Sequence, residues 1–228
     1  MKTLAAVTVF ALSACSQRVY SPPAQAFAVG PVTSLPEGTS TLDVELATHS
    51  QLFDPGLQSA AGRYARNIGD RTDVTAEGTA FTLQGHNIYA GRGGVRTSPG
   101  DDLSFFAGAG GGYAPSGGPF ASLDAGVSFG IDNCYLVPVM TFSGFVSQPL
   151  DPRPIDVTVD PKYMTYDTPS RTVGGTARGG LRVDLTPSSC RRGEPGSWVY
   201  AGLDMTTVVD EDTTDSLMGF GVGLSVPL

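Results

Sequence analysis

Lysine and histidine are almost missing from this chain: its 228 residues hold two of each. The positive charge is nearly all arginine and scattered, and the net charge is −8, so no basic patch invites nucleic acid. With only His49 and His86, neither near a cysteine in sequence, the three cysteines lack the histidine partners that a metal or catalytic role needs. Long apolar runs are absent beyond the N-terminus, which excludes a helix that crosses a membrane but not a barrel, whose membrane signal alternates. A helical or doubly wound enzyme is also a poor fit to a chain with 30 glycines and 17 prolines.

What the chain does have is alternation. In Pro119–Gly130, Ala121, Leu123, Ala125, Val127 and Phe129 fall on one face and Ser122, Asp124, Gly126 and Ser128 on the other. That is the period of a strand with one apolar and one polar side. Together with Asp101–Ala114 it forms a long hairpin over a Pro/Gly turn. Each arm has ten residues or more, the length that a tilted strand needs to cross a bilayer. The same reading gives Ser40–Thr48, two strands within Ser59–Phe81 about a turn at Ile68–Arg71, Asn87–Thr97, Cys134–Ser147, Arg171–Leu185, Trp198–Val209 and Ser216–Val226. A helix competes at one place, where Leu57, Ala61, Tyr64 and Ile68 have helical spacing, but Gly62 and the clean alternation of Val74, Ala76, Gly78 and Ala80 favour a hairpin. Pro138 demands an edge, a bulge or a kink in its strand. Residues 148–170, with five prolines, read as an irregular loop.

The expected fold is therefore all-β, an antiparallel up-and-down barrel of about ten strands, eight being the smaller possibility. Residues 1–14 read as an export signal, a lysine followed by an apolar core. Leu12-Ser13-Ala14-Cys15 resembles the bacterial lipobox, which implies lipidation of Cys15; the competing reading is cleavage after Ala24-Gln25-Ala26. Residues 15–39 then form a tether and 40–228 the barrel. In an exported chain the remaining pair, Cys134 and Cys190, is most simply a disulfide. With strands running up and down, both chain ends, Cys134 and Cys190 fall at one end, and the longest loop falls at the other.

From about residue 40 the chain resembles a small bacterial outer-membrane β-barrel. Arg63–Val74 is similar to the recurrent tight hairpin of such proteins. The resemblance implies an outer-membrane location, a bilayer as partner and a structural, adhesive or narrow-pore role; any small solute or envelope partner is left open. The chain ends Pro227-Leu228 where these barrels usually end in an aromatic residue. Alternation then points Asp43, Glu45, Arg63, Asp73, Glu77, Arg92, Arg96, Asp124, Arg178, Arg182, Asp184 and Asp204 inward, where mutual pairing offsets their burial.

Enzyme motifs fail on context. Gly126-Val127-Ser128-Phe129-Gly130 matches a nucleophile string, but Ser128 sits in an alternating strand and both histidines precede it. The glycine clusters at 91–94 and 108–112 have no following helix and fit side-chain clearance better than phosphate binding. No catalytic residue, metal or cofactor is expected. Asp210-Glu211-Asp212 reads as a solvated loop rather than a cation site, and a rim hydrolase using His49 or His86 is the remaining enzymatic reading. The rival from another class is a soluble periplasmic lipoprotein that buries Leu123, Val127 and Phe220 around an apolar ligand.

Overall fold

The computed structural model describes residues 32–51, 54–83, 86–114, 117–131, 135–160, 163–186, 196–210 and 214–228. Alternating residues become twelve strands: β1 (Ser40–Gln51), β2 (Asp54–Gly69), β3 (Thr72–Leu83), β4 (His86–Thr97), β5 (Leu103–Ala114), β6 (Gly118–Gly130), β7 (Leu136–Pro149), β8 (Ile155–Asp160), β9 (Tyr163–Asp167), β10 (Thr172–Asp184), β11 (Trp198–Val209) and β12 (Thr214–Pro227). Ten of them close into a barrel in the order β1-β12-β11-β10-β7-β6-β5-β4-β3-β2. Every neighbouring pair is antiparallel, including the closing pair β1–β12. Closure leaves the barrel no free edge, and the backbone donors and acceptors of each strand meet those of its neighbours. The helical alternative for Leu57–Ile68 is excluded, because Leu57 to Asn67 pair with β3 throughout.

The β2–β3 connection is a two-residue turn. Asp70 and Arg71 both have positive φ, 43° and 56°, the hand that matches the twist of flanking strands. Pro138 is accommodated at the end of the β6 ladder. Gly130↔Val139 is the last β6–β7 pair, and beyond it Pro138 only accepts, its carbonyl taking a bond from the Ile131 amide at 3.3 Å. Its missing N–H therefore leaves no gap in the sheet.

One expectation is corrected. Residues 148–170 are not irregular throughout: β7 runs on to Pro149, and β8 and β9 pair with each other as a separate hairpin. The prolines at 152, 154 and 169 fall outside both strands, so they bound the hairpin instead of breaking it, and Pro161 lies outside the described residues.

The barrel end that receives Ser40 and releases Leu228 is called proximal here, and the opposite end distal. The two chain ends meet there, where the Leu228 amide donates to the Ser40 carbonyl at 2.9 Å. Residues 32–39, within the stretch read from sequence as tether, are fastened to the same end.

Candidate functional site

The interior carries the ionised groups. Asp43, Glu45, Asp73, Glu77, Arg92, Arg96, Asp124, Arg178, Arg182, Asp184 and Asp204 are all buried, and the Arg63 side chain is 12% exposed. These residues share the inward parity of their strands, so one alternation places all of them together.

Five of them form a continuous ladder around half the wall. Asp43 of β1 and Arg63 of β2 are direct cross-strand partners, joined by Arg63 Nε and Nη2 donating to Asp43 Oδ2 at 2.8 and 2.5 Å. Arg63 Nη1 lies 3.7 Å from Glu77 Oε1 on β3, and Glu77 Oε2 accepts from Arg92 Nη1 of β4 at 3.2 Å. Arg92 then donates Nε and Nη2 to the two oxygens of Asp124 on β6, at 2.7 and 2.6 Å. This forked geometry is the strong form of a charged hydrogen bond. To reach β6 the guanidinium must pass β5, and Gly108 gives it room: a Cβ there would overlap the Arg92 guanidinium.

A second group lies toward the proximal end. Asp73 is fully buried and accepts from Arg96 Nε at 3.0 Å, from the Arg96 Nη2 as well, and from Asn67 Nδ2 at 3.1 Å. The Arg182 guanidinium stacks over the Trp198 ring, 4.7 Å from its centroid. On the remaining wall Arg178 is the cross-strand partner of Asp204. His49 Nε2 sits 3.2 Å from Asp204 Oδ1, and both press on Gly219, where any Cβ would collide with them. The His49 side chain is thus buried among its neighbours, 1% exposed, near the distal end of β1. Ser128 pairs with Thr141 at 3.0 Å within the sheet. Among the described residues no group of histidine, cysteine or carboxylate side chains could hold a metal ion. Cys15, Cys134, Cys190, Glu211 and Asp212 lie outside the described residues.

Two apolar clusters bracket the charges. Distally, Ala47, Phe81, Ile88 and Phe120 pack together with Ala90 and Ala114 against them. Proximally, Val32, Val137, Val139 and Tyr200 pack with Trp198. The inward charge pattern alone misses these clusters. Parity carries part of the signal: Phe81 shares the face of Asp73 and Glu77, Ile88 that of Arg92 and Arg96, and Phe120 that of Ser122 and Asp124.

The outer surface has the opposite character. Leu42, Val44, Leu46, Leu123, Met140, Phe142, Leu181, Leu203, Met205, Met218, Phe220 and Leu224 are all exposed on the barrel wall. The rival in which Leu123, Val127 and Phe220 line an apolar interior is overturned: Leu123 is 58% and Phe220 47% exposed, and Val127 is half-buried. A continuous belt of aliphatic side chains around a closed sheet, with carboxylates and guanidinia inside, is unstable in water and stable in hydrocarbon. Fold and polarity together define an integral-membrane β-barrel of the outer-membrane type.

Known proteins are similar to it in fold only. No family model and no curated protein matches the chain. Among solved structures, the N-terminal β-barrel domain of Pseudomonas aeruginosa OprF is 12% identical with a TM-score of 0.37, over 83% of this chain and 100% of that one. Neisserial surface protein A is 10% identical with a TM-score of 0.36, over 82% and 95%. The β domain of the Bordetella autotransporter Brka is 8% identical with a TM-score of 0.46, over 84% and 100%.

Proposed function

We propose that this protein is a non-enzymatic outer-membrane lipoprotein whose barrel is a closed structural element rather than an open channel. After removal of residues 1–14, Cys15 carries the lipid, and Cys134 and Cys190 form a disulfide at the proximal end. The reading of the bore rests on a single observation, the Asp43–Arg63–Glu77–Arg92–Asp124 ladder held between two apolar clusters. Charges that satisfy one another are a filling; a conduction path needs charges left for the solute. The disulfide is supported by the neighbouring strands β7 and β10, whose proximal ends meet where the Asp184 amide donates to the Tyr135 carbonyl at 3.1 Å. At the distal end the β7–β10 connection, with its own hairpin, is the element that a partner outside the membrane meets first.

The test is planar-bilayer recording of the purified protein beside Arg92→Ala. The proposal expects no steady conductance from the natural chain, and brief openings rather than a steady current once the ladder is cut. A natural chain that conducts ions steadily makes the barrel a pore. Retention in the membrane fraction after Cys15→Ser tests the membrane reading separately, since a barrel held only by its lipid would be released.

A further inference from the structure

We propose that residues 32–36 are a self-docked stopper that closes the proximal mouth of the barrel, with Asp73 as its latch. The segment crosses the bore. At one side Val32 is 4% exposed and packs on Val137 and Val139 of β7 and Tyr200 of β11. It also lies over Gly130 of β6, where a Cβ would overlap its Cγ2. At the other side the Ser34 amide donates to Ser98 Oγ at 2.7 Å, and the Leu35 amide donates to both oxygens of Asp73 on β3, at 3.1 and 3.2 Å. From β3 to β7, or from β3 to β11 the other way round, is four steps in a ring of ten strands, so the two attachment points are nearly opposite. An extended chain from residue 32 to 35 covers about 10 Å, on the scale of the filled interior of a small barrel. A turn follows, with the Thr39 amide donating to Pro36, and β1 begins.

The wall is complete without this segment. Asp73 keeps Arg96 and Asn67 when the Leu35 amide leaves, and all ten strand pairings lie outside residues 32–36. The segment is therefore a separable contact laid over a finished barrel. Behind it lie inward side chains such as Thr141, two residues further along β7 than Val139 and buried. Because residue 32 continues toward the N-terminus, tension on the N-terminal segment pulls directly on the stopper. This goes beyond a closed bore: one end of the bore is shut by a part that can be withdrawn.

Thiol accessibility tests it in the detergent-solubilised full chain with Cys15, Cys134 and Cys190 replaced by serine and Thr141→Cys as reporter. The probe is a charged maleimide. Labelling is slow in the parent. It rises at least ~10-fold when residues 32–36 are replaced by a Gly/Ser linker, as expected when a local closing equilibrium is removed. Leu35→Pro, which removes the donor to Asp73 along with the partly buried Leu35 side chain and leaves every wall residue in place, gives an intermediate rise. Equal rates in parent and linker variant, slow or fast, overturn the proposal. Heat-modifiable gel mobility reports the barrel separately from its mouth, and its loss after Leu35→Pro also overturns the proposal, since the segment would then be part of the fold.

Discussion

Arg92 and Asp124 are joined at 2.6 Å although a whole strand, β5, lies between them. The pair exists because Gly108, on the strand that is crossed, carries no side chain. Gly108→Val fills that space and pushes the guanidinium off Asp124. Separating a buried ion pair costs roughly 3–5 kcal/mol. The expected result is a barrel that loses its heat-modifiable form at markedly lower urea or temperature. Gly78→Val, on the outward face where nothing lies within 4 Å of a Cβ, controls for placing a β-branched residue in a strand and should not destabilise the barrel. Equal losses at the two glycines would mean that the crossing does not matter.

Leu203 tests the outer belt. It is 65% exposed near the middle of β11. Arginine facing hydrocarbon at mid-depth costs about 2–4 kcal/mol, while the same change on a water-facing surface costs about 0.5 kcal/mol or less. Leu203→Arg should therefore shift the urea midpoint of the barrel refolded into lipid vesicles by the larger amount. A shift near zero would place water at this face.

The β2–β3 turn offers a backbone test. Arg71 has φ 56° and its exposed guanidinium is 3.5 Å from Asp101. Both Arg71→Gly and Arg71→Val remove that ion pair, so comparing them isolates the conformational term. A left-handed backbone costs an L-residue roughly 1–2 kcal/mol, and a β-branched one the most. Glycine is expected to be the more stable variant by about that amount in urea titrations. Equal midpoints would show that the turn relaxes to another shape.

Much of the barrel is legible in the residues because its signal is local. Leu123, Asp124 and Ala125 declare their faces by position alone, and the same holds for Arg178 and Arg182 against Leu181 and Val183. The β8–β9 hairpin was hidden because its bounding prolines look like interruptions until the pairing Ile155↔Asp167 is seen. Phe81, Ile88 and Phe120 were legible as inward residues but not as one cluster, since they come from β3, β4 and β6 and meet only in the closed ring.

By itself the sequence determined the strand period and which face of each strand is ionised, because side-chain direction in a strand repeats every two residues whatever the strand pairs with. Only the tertiary structure decided the partners. Arg92 reaches past β5 to Asp124 as well as to Glu77 on β3 because closure and register bring Gly108 between Arg92 and Asp124, and Val32 meets Tyr200 only where the closed ring brings β7 and β11 to one end. Those choices depend on distances between segments far apart in the chain, and no alternation within a single strand encodes them.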